Sequence, residues 1–418
     1  MVAPRLVLAT TYPEPAALAI ARAALTRGQL AAVFTPFNPS ARLLAAARPL
    51  PKRLRREVDR RHLRGLPTTS VKQVTTFRDL AQRAVRMVPR SQSIAQRLED
   101  SMKAAFDRSV ARRLDAVDYD AVIGISGSSE RTLRAASAAG RLGILHLTDS
   151  HPAAKNRYLR ELGGLPAGHP ELVAEDVRAR VESELEEAGL VLVPSRFVAD
   201  QLAAAGVPAG RIDVEARGVN VLEFSPQPAS KAASQRNLRC LFVGQICHRK
   251  GVRFLLEAAR RLAGLPITFR LVGPLRSPEL LAHLPSNVTW KGSLGHQQIA
   301  EEMRGADVLL LPSLEDAFGL VTMEAMASGL PVVVSDHCGS SELVADGGAG
   351  IVIPAADTTA LVNAIRRLLE EPERRRAMGY EARRRMVAGR SWESYGQYVL
   401  DRIGRQGTPT AAAEVGLR

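Results

Sequence analysis

An α/β protein built of two doubly wound parallel-sheet units is what this sequence predicts, and three observations carry the prediction. From Leu238 onward, short apolar runs near positions 238, 267, 288, 307, 331 and 350 alternate with helical patterns, the order that builds a parallel sheet covered by helices. The chain opens the same way: Arg5–Thr10, the Ala-rich Pro15–Arg27 and Leu30–Thr35 read as strand, helix and strand. Between the two series lies PQPASKAASQRN (226–237), polar and small in composition, as a linker should be.

Composition agrees with this plan and narrows the function. A chain of 418 residues with 46% hydrophobic content has room for two or three domains with ordinary cores. Of its 57 basic residues 50 are Arg, and the formal net charge of +14 favours anionic partners such as nucleotide phosphates, acidic lipid or acidic glycan. Nucleic acid is disfavoured, because only six Tyr and two Trp are present for base stacking and no binding module is recognisable. Cys240, Cys247 and Cys338 are odd in number and lack metal-ligand spacing, so they read as buried thiols and not as a disulfide framework or zinc site. The apolar run in MVAPRLVLATTYPEP is too short for a signal peptide, and no run of ~18 apolar residues exists to span a bilayer. A cytoplasmic protein is expected.

In the first half, the loop Thr10–Pro15 (TTYPEP) joins the opening strand to its helix. Arg48–Arg64 sets eight basic residues against two acids and leaves only a narrow apolar stripe at helical spacing. It reads either as a surface helix that meets an anionic membrane or acceptor, or as a solvated charged helix. Residues 70–115 continue in helix-like sequence with no assignable role. Tyr119–Ile125 is a buried strand that opens into Ser126-Gly127-Ser128-Ser129, a substrate-contact candidate by its place at a strand's carboxyl end. Gly143–Thr148 is the next strand; His146 lies inside it as a core residue, and it exits into Asp149-Ser150-His151-Pro152. Glu171–Glu187 reads as an acid-rich helix, and Leu190–Val193 as a strand followed by a new helix.

In the second half, two stretches place chemistry at strand exits. Asp307–Leu311 reads as a strand buried on both faces, ended by Pro312. Ser313–Phe318 carries turn formers and acids, and from Gly319 a helical pattern runs through Met323, Met326 and Ala327 to a stop at Gly329. The helix start at Gly319, Leu320 and Val321 offers free N–H groups and a positive dipole end suited to phosphate. Asp316 and Glu324, eight positions apart, can face one crevice. After the strand at Leu238–Val243 comes Gly244-Gln245-Ile246-Cys247-His248-Arg249-Lys250-Gly251, where Lys250 is expected to begin a helix and so to bring an ammonium and a dipole end to the same anion.

Pro312–Pro331, with Asp316 and Glu324 at its spacing, resembles the E-x7-E segment of the retaining glycosyltransferases of family 4, and Gly244–Gly251 resembles that family's G-R-x4-K-G loop. Arg217-Gly218-Val219-Asn220 is similar to its N-G-V-D exit from the first domain, and Gly339-Ser340-Ser341-Glu342 to its G-G-x-x-E. The resemblance covers most of the chain and is specific from about 217 to 355. It implies the GT-B architecture, two Rossmann-like domains facing an interdomain cleft: 1–222 on the acceptor side, a linker at 223–237, a donor-nucleotide domain at 238–390, a terminal helix at 391–405 crossing back, and a mobile tail at 406–418.

The same resemblance implies a hexosyltransferase that moves a sugar from a nucleotide-diphosphate donor to a glycan, lipid or small-molecule acceptor, with neither metal nor covalent cofactor. Asp316 and the backbone at Phe318, Gly319 and Leu320 would hold the donor's sugar and phosphates, and Glu324 the ribose hydroxyls. Lys250, assisted by Arg249 and bordered by Gly244 and Gln245, would meet the diphosphate. Gly273 and Trp290-Lys291-Gly292 would border the base. His151 is placed at the family's His near the donor sugar, which makes Lys250, Asp316 and His151 the implied catalytic set. The sequence departs from the family at Asp316 (usually Glu), Ala317 (usually Gly), Gln245 (usually Arg) and in the glycine-free Thr10–Pro15 loop. Asp118-Tyr119-Asp120 spells D-x-D, the metal motif of the other large glycosyltransferase fold, but it precedes its strand, where a ligand-facing metal would need an exit. Another GT-B enzyme, a phosphorylase or epimerase, and a non-catalytic polyanion or membrane binder stand as alternatives.

Overall fold

The computed structural model describes residues 3–46, 48–49, 55, 58–59, 61–74, 92–215, 217–226, 237–346 and 348–406. Residues 50–54, 56, 57 and 60 of the basic run, 75–91 of the unassigned stretch, 227–236 of the linker and 407–418 of the tail lie outside the described residues.

The first domain contains β1 (Leu6–Ala9), α1 (Pro15–Thr26), β2 (Leu30–Thr35), α2 (Ala41–Ala46), β3 (Val71–Gln73), α3 (Gln92–Ala111), β4 (Ala121–Ile125), α4 (Glu130–Ala138), β5 (Leu142–His146), α5 (Pro152–Glu161), α6 (Glu175–Glu187), β6 (Leu190–Val193), α7 (Arg196–Ala204) and β7 (Ile212–Val214). Its strands form one seven-stranded sheet in the order β3-β2-β1-β4-β5-β6-β7, every described pairing parallel. Leu6, Val7, Leu8, Val122, Ile123, Ile144, Leu145 and Val191 are all buried, as continuous apolar strands covered on both faces must be. Pro15 sits at the first turn of α1, where its fixed φ suits the helix and its missing N–H costs nothing. Two expectations shift. The stretch 70–115 contains the short edge strand β3, which helix-like composition concealed. The acid-rich helix starts at Glu175, leaving Glu171 in a loop.

The second domain contains β8 (Leu238–Val243), α8 (Val252–Arg261), β9 (Ile267–Val272), β10 (Val288–Trp290), α9 (His296–Arg304), β11 (Val308–Leu311), α10 (Leu320–Ala327), β12 (Val332–Ser335), β13 (Gly350–Ile353), α11 (Thr358–Glu370), α12 (Pro372–Val387) and α13 (Trp392–Gln406). Six parallel strands run in the order β10-β9-β8-β11-β12-β13. The order reverses between β8 and β11, and in open α/β sheets ligands sit at the carboxyl ends of the strands flanking such a switch point. Gly244–Gly251 and Pro312–Gly319 are the loops that leave these two strands.

The last helix, α13, lies against the first domain. Tyr395, Val399, Leu400 and Ile403 share a core with Ala16, Ala19, Ile20 and Ala23 of α1, and Arg402 pairs with Asp213 at 2.6 Å. The small Ala face of α1 allows this close seat. The two domains also meet through helix and loops: Leu159 of α5 and Leu165 after it pack with Leu314 of the second domain. Ser195 Oγ donates to the Ala317 carbonyl at 2.7 Å, and the Arg196 N–H donates to Glu342 at 2.7 Å. No described helix is long and apolar enough to cross a membrane.

Candidate active site

The two crevice loops are locked together through a glycine. Gly251 has φ +67°, and a Cβ there would stand 1.8 Å from the Pro312 carbonyl oxygen, so only glycine lets the turn after β8 press on the turn after β11. The Leu314 N–H then donates to the Arg249 carbonyl at 2.8 Å. Gly251 caps α8 in the left-handed conformation. Lys250 therefore lies in the turn before the cap and does not open the helix, because a left-handed residue breaks the helical run behind it.

From that turn Lys250 Nζ donates to Asp316 Oδ2, with both side chains about nine-tenths buried. Burial alone would raise the Asp316 pKa; the Lys250 and Arg249 cations outweigh it and hold the carboxyl below its ordinary value. Asp316 is thus an anion at neutral pH, fixed in place by an ammonium. Gly319, φ +77°, caps α10, and a Cβ there would lie 2.8 Å from Cys338 Sγ. Beyond it the first turn of α10 leaves backbone N–H groups without intrahelical acceptors, with Leu320 exposed. Phe318 is buried, and its carbonyl accepts the Ser340 N–H at 2.7 Å. Gly244 is tied to Val272 through its N–H at 2.9 Å, while Gln245 is exposed. Glu324 projects half-buried from α10, and burial first, then the Glu223 charge, push its carboxyl up to about 7.

Sequence reasoning missed the acid beside Asp316. Glu315 is fully buried; it accepts the Ser150 hydroxyl at 2.5 Å and lies 3.5 Å from Arg249 Nη1. Ser150 belongs to the first domain and Glu315 to the second, so this bond crosses the cleft. Next to it Lys155 pairs with Asp149 at 2.6 Å. Burial opposes ionisation of Asp149, but Lys155 and Arg249 overcome it and lower its pKa to about 2. The signals were the acid doublet Glu315-Asp316 and the polar Asp149-Ser150 directly after a strand. Each was visible, but both acids are buried, and their different partners, Ser150 of the first domain for Glu315 and Lys250 for Asp316, are met only in the tertiary structure.

His151 is the N-cap residue of α5 and buried. Its N–H donates to Gln201 Oε1 at 3.1 Å, and burial lowers its ring pKa, with Glu182 and Arg178 as the neighbouring charges. No hydrogen bond or ion pair joins it to Arg249, Lys250 or Asp316 among the described residues. His146 accepts from Arg217 Nη1 at 2.6 Å and meets the Tyr395 hydroxyl at 2.9 Å. The Ser126–Ser129 loop is held from behind: the N–H groups of Gly127 and Ser129 donate to Glu184 at 2.6 and 2.7 Å. Asp118 and Asp120 of the D-x-D are taken by Arg5 and Arg141 at the amino end of β4. On the first-domain side a cavity of about 1310 Å³ starts at Asp149 and Lys155 and is lined further by Asn156, Arg157, Arg160 and Arg178.

Comparison with known proteins fits this geometry. Residues 225–385 match the family described as Glycosyl transferases group 1. D-inositol 3-phosphate glycosyltransferase of Mycobacteroides abscessus is 30% identical over 279 residues, which are 63% of this chain and 60% of that protein. The chain thus spans about 60% of the length of this curated relative. Among solved structures, sucrose-phosphate synthase from Thermosynechococcus elongatus superposes with a TM-score of 0.67 at 20% identity, covering 96% of this chain and 98% of that one. HepE of Anabaena, in complex with UDP-glucose, gives a TM-score of 0.64 at 17% identity over 96% of this chain and 100% of that one. At these identities the likeness is one of fold, and that fold is GT-B.

Proposed function

The chain belongs to the glycosyl transferases group 1 family through residues 225–385, and from that premise we propose that it transfers a sugar from a nucleotide-diphosphate donor to an acceptor with retention at the anomeric carbon. The observation that carries the reading is the buried Lys250–Asp316 pair, joining the turns that follow the adjacent strands β8 and β11, three residues before the cap of α10. A diphosphate entering the crevice meets an ammonium, the Arg249 guanidinium and the unpaired N–H groups of a helix start, all placed before the bond breaks. Charge growing on the leaving diphosphate is stabilised there by groups already in place, once Asp316 yields part of its hold on Lys250, and without a donor-site metal. Asp316, freed from part of its hold on Lys250, accepts from sugar hydroxyls, and Glu324 accepts from the ribose. The leaving phosphate and the incoming hydroxyl share one face of the sugar, so the anomeric configuration is kept. The complex of HepE with UDP-glucose supports a nucleotide sugar as donor.

For the acceptor, the cavity beside Asp149 mixes cations with the acids Asp149, Glu161 and Glu175, and with Lys155 and Arg178 held in ion pairs it offers an anionic group Arg157 and Arg160. A thermal-shift screen over nucleotides and nucleotide sugars tests the donor side. One donor at about 100 times its dissociation constant should stabilise by about 2.7 kcal/mol, and its sugar should appear on an added acceptor by mass spectrometry. Stabilisation by no nucleotide or nucleotide sugar would end this reading.

A further inference from the structure

The loop between α5 and α6 reaches across the cleft with His169 and Glu171, and meets His248 of the turn after β8. One ring nitrogen of each histidine and one Glu171 oxygen lie within 4.8 Å of one another. The two rings stand edge-on, centroids 5.5 Å apart at 85°. Glu171 Oε1 accepts the His248 N–H and the Ser277 hydroxyl, each at 2.9 Å, and Oε2 accepts the Arg249 N–H at 2.8 Å. A carboxylate has about four acceptor positions, so one on Oε2 is left over.

The second nitrogen of His248 makes the difference. His248 Nε2 donates to Glu279 at 2.9 Å, which fixes the tautomer and leaves Nδ1 with a lone pair. That Nδ1 is buried and has no hydrogen-bond partner among the described residues. A buried lone pair without a donor is costly, and a cation would satisfy it. His169 Nδ1 accepts the Glu171 N–H at a long 3.2 Å, and its single lone pair must give up this weak bond to reach a cation. A carboxylate on the far nitrogen of an imidazole is the arrangement that orients metal-bound histidines.

We propose that His169, Glu171 and His248 bind a zinc-class divalent cation, with Glu279 orienting His248, and that the cation pins the first domain's loop to the donor-side turn of the second. Two nitrogens and one carboxylate oxygen favour zinc over magnesium or calcium. Ligand atoms around tetrahedral zinc stand ~3.3 Å apart, so the side chains close in by at most about 1.5 Å. The fourth position is left to water. The site is separate from the Lys250–Asp316 pair, and it stands or falls independently of the donor reading.

The test uses the full chain, stripped with a chelator and titrated calorimetrically with zinc chloride. One zinc per chain should bind and magnesium should not. His169→Ala and His248→Ala should each abolish stoichiometric binding, and Glu279→Gln should weaken it by roughly 10–100-fold. Cobalt(II) in the site should show visible d–d absorption without a thiolate charge-transfer band, separating it from the three cysteines. Absence of stoichiometric zinc binding, equal binding of magnesium, or unchanged binding in both Ala variants would overturn the site. Should either Ala variant misfold by circular dichroism, the Glu279→Gln titration decides, and unchanged affinity there would also overturn it.

Discussion

Replacing Lys250 with Ala tests the heart of the site, because it removes a cation that a buried carboxylate depends on. Asp316 and Lys250 are each about nine-tenths buried. Breaking such a pair by removing one partner typically costs ~3–5 kcal/mol, since the surviving charge is left without compensation. Arg249 also holds Asp316, so the lower figure, about 3 kcal/mol, applies, a drop in Tm of roughly 6–12 °C for a domain of this size.

The pH dependence has a definite sign. In the native protein the Asp316 pKa is lowered, so its ion pair contributes stability above the unfolded carboxyl value and loses it as pH falls through the folded one. Without Lys250, burial prevails, the carboxyl rises, and the variant loses stability as pH increases toward neutrality. The gap between the two proteins should therefore be wide at pH 7.5 and narrow near pH 4. Asp316→Asn in the Lys250→Ala background should recover part of the loss, as it removes the stranded charge. Turnover should fall roughly 10²–10³-fold at saturating donor, the usual cost of one preorganised charge-stabilising group. Urea unfolding of the single and double variants at the two pH values, with steady-state kinetics, is the assay. A pH-independent gap, or additive losses in the double variant, would refute a coupled buried pair; a change in donor KM alone would refute transition-state stabilisation by Lys250.

Glu324→Gln should chiefly raise the donor KM, because the ribose changes little during reaction. With its carboxyl raised to about 7 by burial, Glu324 weakens the unliganded protein as pH rises from the ordinary carboxyl range through 7, so the Gln variant should melt higher than the parent at pH 8 and alike at pH 4.5. Gly251→Ala should unseat the two crevice loops, given the 1.8 Å approach to Pro312; calorimetric titration with a nucleotide should show binding lost while far-ultraviolet circular dichroism still reports both sheets. Tyr395→Phe leaves Arg217 Nη1 without one of its buried acceptors, now at 3.1 Å, and should destabilise by about 1–3 kcal/mol in urea unfolding.

Local sequence determined the layers of this protein. Apolar runs of four to six residues alternating with helical patterns allow little but a doubly wound sheet, and 238–353 fell into strands at the expected places because burial on both faces leaves a strand no polar position. The positions of Asp316, Gly319 and the Gly244–Gly251 turn at strand exits, and of Glu324 on the helix that follows, were legible as well, since each comes directly from the order of strand, loop and helix. Lys250 was legible as a cation, but its place before the helix was not, because the left-handed conformation of Gly251 answers to the Pro312 carbonyl 61 positions away.

What only the tertiary structure decided is the pairing of charges across the cleft. Glu315 and Asp316 are adjacent acids with similar chemistry, yet one turns to Ser150 of the other domain and the other to Lys250. Glu171 sits in an unremarkable acid-rich stretch, and its hold on the backbone of His248 and Arg249 appears only when two separately folded sheets are docked. Helix and strand periods are written in neighbouring residues; the partner of a buried charge is set by which distant segment excludes water from it, and no local pattern encodes that distance.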